Sequence, residues 1–314
     1  MLSVLAITIP IYACVAVGHV AVRRGLLSRS DMRVLTTFVI SISLPCMLFL
    51  AVGTRPVRDI LNPTYLAAYA LGSVLAYAVG YGYGRLRGAG PAGRAFDGLG
   101  MSGSNSGFVG YPLLLLTLPD VAGLVLGLSM IVENLLVLPL MFLLAEGRAQ
   151  GHDSRAKVLA TYATRLTRNP LLIGLVAGLI VSLSGVHLPE AVLRTADLFS
   201  RAGTAVALFA IGGLLATFPR GAELRRVLAL SLGKLLLHPL LVAGALLVLV
   251  GLGLPALDPA LRIGLLVTGA LPIMSTMPVL AHPYGESEPI AGVLLVTTGV
   301  SFLTLSGLLG FLTG

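Results

Sequence analysis

Long apolar runs separated by short polar connections set the pattern of this chain. Crossing a hydrocarbon core about 30 Å thick as a helix takes roughly 20 apolar residues. Ten runs approach that length: about 2–21, 33–53, 64–84, 97–118, 121–145, 168–185, 190–217, 225–251, 260–281 and 288–312. The longest connection, 146–167, is polar and basic. It divides the chain into a first five-helix repeat, 1–145, a cytoplasmic linker, 146–167, and a second five-helix repeat, 168–314. The pattern predicts an all-α polytopic membrane protein with ten transmembrane helices.

Two runs are interrupted. Residues 102–112 read Ser-Gly-Ser-Asn-Ser-Gly-Phe-Val-Gly-Tyr-Pro inside span 4, and 271–278 read Leu-Pro-Ile-Met-Ser-Thr-Met-Pro inside span 9. Such stretches break a helix where lipid cannot satisfy the freed backbone groups. Broken backbone survives at that depth only when buried in protein or lining a watery cavity. The breaks occupy matching places in the two halves. Five spans per half is an odd number, so related halves sit upside down relative to each other. Leu44–Phe49 in span 2 and Ala205–Phe209 in span 7 carry a weak likeness. Inverted repeats with broken helices 4 and 9 point to a transporter's substrate site.

Composition narrows the class. The 314 residues are 56% hydrophobic and 11% charged, with mean hydropathy +0.97. A soluble domain carries roughly 25% charged residues, so a soluble enzyme is excluded. The net charge of +8 lies in short loops and reads as topology, not as a nucleic-acid surface. Loops after spans 1, 3, 5 and 7 hold 15 basic residues: Arg23, Arg24, Arg29, Arg33, Arg85, Arg87, Arg94, Arg148, Arg155, Lys157, Arg165, Arg168, Arg220, Arg225 and Arg226. The other side holds 4: Arg55, Arg58, Arg194 and Arg262. This bias places both termini on the extracytoplasmic side of the cell (inner) membrane. The first run has no basic residue before it and reads as a span, not a cleaved signal. Cys14 and Cys46 lie in apolar runs and suggest neither disulfide nor metal. Tyr65, Tyr69, Tyr81 and Tyr83, at the two ends of span 3, are expected to form an interfacial belt.

The breaks carry the candidate chemistry. Pro112 suits the first position of an outer half-helix, and Pro278 that of an inner one, because neither needs an N–H there. Both half-helix N-termini then present unpaired N–H groups and a positive dipole end near the midplane, which attracts a carboxylate. Ser104, Asn105 and Ser106 add hydrogen bonds, as do Ser275 and Thr276. Close helix packing also explains small residues, but not an Asn beside a Pro-terminated break. The expected substrate set is Ser104, Asn105, Ser106, Gly107, Tyr111, Pro112, Pro272, Ser275, Thr276 and Pro278.

Glu133, next to Asn134, lies mid-span in span 5. Its insertion costs at least about 2.5 kcal/mol, so it is a functional candidate by default. The alternative is a protonated Glu bonded to a neighbouring helix. Lys234 in span 8 either pairs with Glu133, supports the span 9 break, or snorkels to the cytoplasmic face. His238 is one turn on, either a proton carrier or a satisfied core histidine. Coupling or support is assigned to Glu133, Asn134, Lys234 and His238. Asp197 and Arg201 have the spacing of a local ion pair. No hydrolase, kinase or metalloprotease pattern is present, and Gly80-Tyr81-Gly82 lies in a span, not in a βαβ unit. No enzyme activity, cofactor or metal is expected.

These segments resemble the auxin efflux carrier family of membrane transport proteins, in the wider group that includes bile-acid-type sodium symporters. The likeness runs through Asn105–Pro112, Asn169–Gly174 with Gly178 and Leu188-Pro189, Ala207–Gly213, Lys234–Pro239 and Ala281–Gly285. It covers nearly the whole chain. It implies ten helices in two inverted repeats crossing at the breaks of spans 4 and 9. Spans 1, 2, 6 and 7 would be a scaffold at a homodimer interface, and the other six an elevator-like transport domain. Family substrates are organic anions. The long hydrophilic loop of the large plant carriers is absent here, and Thr204-Ala205 stand in span 7 where many relatives carry a Pro.

The reading is a secondary transporter or facilitator, embedded in the lipid bilayer, that exports a small carboxylate such as a dicarboxylate or auxin-like anion. Membrane potential or a proton supplies the energy, since no nucleotide site is visible. One alternative is a sodium-coupled symporter of bile-acid-carrier type, which needs acidic or Gln ligands beside the crossover. Residues 100–112 and 270–280 contain no Asp, Glu or Gln. The other is a non-transporting membrane sensor.

Overall fold

A computed structural model describes residues 2–55, 61–146, 160, 162–164, 166–186, 188–216 and 223–313. Most of the 146–167 linker lies outside these residues, as do Arg58, Arg148, Arg155, Lys157, Arg165 and Arg220 of the charge count.

The described chain is built from α1 (Leu2–Arg23), α2 (Arg29–Phe38), α3 (Leu44–Gly53), α4 (Pro63–Leu86), α5 (Pro91–Ser102), α6 (Tyr111–Thr117), α7 (Pro119–Val132) and α8 (Leu138–Glu146). It continues with α9 (Pro170–Ser184), α10 (Glu190–Leu214), α11 (Leu224–Leu232), α12 (His238–Gly251), α13 (Pro259–Ala270), α14 (Met277–Ala281) and α15 (Ser287–Thr313). Six continuous stretches are long and apolar enough to cross a membrane: Ser30–Gly53, Pro63–Leu86, Pro119–Ala145, Glu190–Leu214, Leu224–Gly251 and Ser287–Leu312. Shorter apolar helices occupy Ile9–Arg23, Ser106–Thr117, Pro170–Ser184 and Pro259–Ala270. Leu183, Leu198, Leu240, Leu247, Leu303 and Phe311 are exposed. Water would penalise that apolar surface, whereas lipid accepts it. The chain is a helical polytopic membrane protein.

Three long helices and the short helix Ser106–Thr117 contain a five-residue π segment: π1 (Val39–Ser43), π2 (Ser106–Gly110), π3 (Glu133–Val137) and π4 (Gly233–Leu237). A proline stands two residues beyond each one: Pro45, Pro112, Pro139 and Pro239. Proline has no N–H for the carbonyl four residues back, and its ring collides with that carbonyl. The ladder widens instead. The residue before the proline bonds five residues back, as in Leu44 N–H to Val39 O, Leu138 N–H to Glu133 O and His238 N–H to Gly233 O. Such single-turn π-bulges are frequent at functional sites, and here they carry Ser106, Glu133, Asn134 and Lys234.

The chain forms two compact units, and each draws segments from both sides of the linker. The first holds Met1–Asn62, Gly107–Leu128 and Leu166–Thr217. In lipid there is no hydrophobic drive between helices, so small residues that allow close backbone approach hold them. A Cβ on Gly18 of α1 would lie 2.0 Å from Phe209 O of α10, and one on Gly212 of α10 1.9 Å from Val15 O of α1. The two helices thus cross backbone to backbone.

The second unit holds Pro63–Ser106, Ser129–Arg165 and Phe218–Gly314. Here α4 packs on both α5 and α12. Its buried face is the stripe Tyr65, Tyr69, Ser73 and Tyr77, spaced four residues apart. Tyr65 and Tyr69 are fully buried, so the interfacial belt expected of them is not formed. A phenol that can reach a polar partner is stable inside: Tyr65 OH lies 2.8 Å from Ser129 Oγ, and the partners of Tyr69 are described below. Tyr81 and Tyr83 are half-buried.

This unit also buries an ion cluster. Asp97 of α5 is fully buried and accepts from Arg87 Nε and Arg226 Nε, both at 2.7 Å. Arg226 also donates to Glu286 Oε2 at 2.6 Å, and Arg87 lies 3.8 Å from Glu223. Two of the basic residues counted as topological signals are therefore structural partners of a buried carboxylate.

Candidate functional site

The site is assembled in the second unit where the two breaks meet. α5 stops at Ser102, and Gly103 is extended (φ −75°, ψ 126°). α13 stops at Ala270, and Leu271 is extended (φ −62°, ψ 155°) because the following Pro272 disfavours helical backbone before it. The extended pieces pair through one antiparallel bridge, Ser104 with Ile273. Asn105 N–H donates to Pro272 O at 2.9 Å. Each break thus satisfies part of the other's backbone, as irregular chain at membrane depth requires.

Helical backbone resumes at Ser106 in π2, not at Pro112, so the half-helix N-terminus falls at Asn105 and Ser106. Pro112 is instead the proline that widens π2. On the other side Pro278 lies in the first turn of α14, which runs only from Met277 to Ala281 before a 3₁₀ turn. The expected unpaired N–H groups are largely used. Ser104 N–H points to Glu133 Oε1 (3.3 Å), Asn105 N–H to Pro272 O, and Met277 N–H to Met274 O (3.0 Å).

Glu133, the first residue of π3, is fully buried against the span 4 break. Its Oε1 accepts from Tyr69 OH (2.8 Å), Ser106 Oγ (2.9 Å) and Ser104 N–H. The protein's own carboxyl thus occupies the N-terminal end at Ser106. Glu133 Oε2 and Asn105 Nδ2 have no hydrogen-bond partner among the described residues, and Asn105 is 3% exposed. Asn134 turns to its own helix: Nδ2 donates to Met130 O at 2.9 Å, and its carbonyl accepts from Tyr162 OH at 2.6 Å.

Lys234 in π4 is fully buried and does not snorkel. Its Nζ donates to Gly269 O at 2.7 Å, one of the carbonyls left over at the C-terminus of α13. A cation there meets the negative end of the helix dipole. The same Nζ lies 2.9 Å from His238 Nδ1, and His238 Nε2 lies 3.0 Å from Ser73 Oγ. An ammonium has no acceptor, so while Lys234 is charged it donates to Nδ1, and the neutral ring carries its proton on Nε2. Lys234 therefore supports the span 9 break and makes no direct ion pair with Glu133.

The remaining predicted residues are distributed as follows. Pro272 is buried in the crossing, while Ser275 and Thr276 are half-buried beside it. Gly107, Tyr111 and Pro112 belong to the first unit, where Gly107 faces Leu44 and all three are buried. Sequence reasoning missed Tyr69, Ser73 and Thr268. Tyr69 OH also lies 3.0 Å from Ser104 Oγ, which donates to Thr268 O at 2.9 Å. The four-residue spacing of Tyr65, Tyr69, Ser73 and Tyr77 is the signal that identifies this stripe.

Two comparisons bear on this arrangement. The chain is 27% identical over 314 residues to a Rhizobium meliloti (strain 1021) protein named "Putative malonate transporter", covering 98% of this chain and 96% of that one. The model of the family described as membrane transport protein matches residues 3–309. With nearly the whole chain matched, and with two broken helices meeting at a buried polar site, this protein belongs to the membrane transport protein family, that of the auxin efflux carriers.

Proposed function

We propose that this protein is a secondary transporter of a small carboxylate, with malonate-like dicarboxylates the first class to test. The observation that carries this reading is the buried, unpartnered Asn105 amide at the point where two broken helices meet. A buried donor left without a partner costs about 1–3 kcal/mol. A bound carboxylate offsets that cost, and the malonate in the relative's name fits such a donor. Ser104, Asn105 and Ser106 with Pro272, Ser275 and Thr276 form the binding region, and Glu133, Lys234 and His238 support it. The chain has ten spans in two inverted repeats, with both termini extracytoplasmic. It works as a homodimer in the inner membrane, by an elevator-like movement.

Calorimetry with malonate tests the reading. Asn105→Ala is expected to weaken binding at least tenfold, the loss of a hydrogen bond to a charged group, about 1.5–3 kcal/mol. Its melting temperature should stay close to the parent's, since the amide nitrogen holds nothing in the protein. Equal affinity in parent and variant would remove Asn105 from the site.

The sodium-coupled alternative gains one observation. The acidic group missing from residues 100–112 and 270–280 is delivered to the break by Glu133. Malonate binding that occurs in sodium buffer and vanishes in potassium buffer would select that alternative.

A further inference from the structure

A count of protons along the Glu133 network shows what the carboxyl is built to do. Tyr69 OH lies within hydrogen-bond distance of two oxygens, Glu133 Oε1 at 2.8 Å and Ser104 Oγ at 3.0 Å. A phenol has one proton. Ser104 Oγ lies 2.9 Å from Thr268 O, a carbonyl that only accepts, so the Ser104 proton belongs there. With Glu133 ionised, the Tyr69 proton goes to the carboxylate, and the Tyr69 to Ser104 contact holds no proton. With Glu133 protonated on Oε1, the Tyr69 to Ser104 contact is filled as well. Glu133 O–H donates to Tyr69, Tyr69 to Ser104, and Ser104 to Thr268 O. Ser106 O–H and Ser104 N–H both point to this same Oε1, not to Oε2, so the new hydroxyl keeps acceptor capacity for one of them and the Ser106 hydroxyl turns its proton away. The network therefore accepts a proton without moving a heavy atom.

The surroundings leave room for either state. The titratable groups facing Glu133 are Tyr69 and, behind it, Tyr65 from α4, and Lys234 from π4. Lys234 is engaged with Gly269 O and His238 and forms no ion pair with Glu133. No arginine forms an ion pair with Glu133 among the described residues. The Asn105 amide lies on the same break. A carboxylate placed against it adds a like charge beside Glu133, which favours protonation of the buried group.

We propose that Glu133 takes up one proton from water when a carboxylate anion binds against Asn105, so that each anion is moved together with a proton. The charge balance is simple: Glu133 goes from carboxylate to carboxylic acid, and the site gains the anion. This makes the protein a proton-coupled carrier, not a passive facilitator. The inference rests on the transporter reading above and deepens it.

The test is calorimetry of malonate binding to the intact protein, at one pH, in buffers of different ionisation enthalpy. The parent is expected to take up close to one proton per malonate. Above the pH at which Glu133 ionises, its affinity should fall about tenfold per pH unit. Glu133→Gln should bind malonate with no proton uptake and a flat pH profile. Tyr69→Phe keeps the carboxyl but cuts the relay, and should shift the pH at which affinity falls while keeping the uptake. It also serves as the readout if Glu133→Gln fails to fold. Binding without proton uptake in the parent overturns the proposal and leaves the transporter reading intact. Uptake that persists in Glu133→Gln also overturns it, because the proton then rides on another group, Lys234 or malonate itself. Absence of binding by malonate overturns the proposal together with the malonate reading.

Discussion

The second unit buries two charged clusters, and they are constructed in opposite ways. Asp97 is held between two guanidiniums, and Arg226 reaches a second carboxylate in Glu286. Every buried charge there faces an opposite one. Glu133 is held by a phenol, a serine and a peptide N–H, and Lys234 by a carbonyl and an imidazole. No opposite charge touches either. The first arrangement fixes protonation, since removing a proton or a charge strands its partners. The second holds its groups in place while leaving their charge free to change. Burial alone therefore does not mark a functional carboxylate; what matters is whether its partners are neutral.

The sharpest way to break this contrast is Asp97→Asn. It leaves Arg226, 3% exposed, with Glu286 alone and takes the buried carboxylate from Arg87, and should cost about 3 kcal/mol, read as a large drop in thermal stability in detergent. A small loss would mean that the cluster is solvated and the contrast empty. Lys234→Met should cost less, about 1–3 kcal/mol, the price of leaving Gly269 O and His238 Nδ1 unpaired. Combined with Glu133→Gln, its effect on melting should fall somewhat short of the sum, because the two charges act on each other through space without a direct bond. Strong mutual rescue would show that they form a pair after all. The smallest effect is expected at the exposed Asp197 to Arg201 pair, 2.7 Å apart and four residues apart along α10. Arg201→Ala should change stability by less than about 0.5 kcal/mol, a baseline for a pair at the surface.

The helical, membrane-spanning character could be read from the chain because apolar length is a direct physical requirement of the bilayer. The breaks were legible for a related reason: Gly, Ser, Asn and Pro clustered in an apolar run have no other explanation as strong. Glu133 and Lys234 stood out as charges where charge is expensive. Partners were harder to see. Tyr69 reads as an interfacial residue by composition, and only its phase along α4, in step with Tyr65 and Ser73, turns it inward. Arg87 and Arg226 look like topology signals because a loop arginine and a buried one are the same letter. Their partner Asp97 lies ten residues from Arg87 but 129 from Arg226, a distance no local pattern spans.

The four π segments have a consequence for how this protein can change by insertion and deletion. A π segment holds one residue more than the α-helix it replaces, and one residue turns a helix by about 100°. Deleting a single residue within Glu133–Val137 while replacing Pro139 should let that helix rewind as uninterrupted α, with both ends keeping their facing. Glu133 itself would be swung or lost. Each proline thus acts as a stop that keeps one surplus residue from being absorbed into the helix. The polar side chains at these places are held at angles that an ordinary helix would not give them.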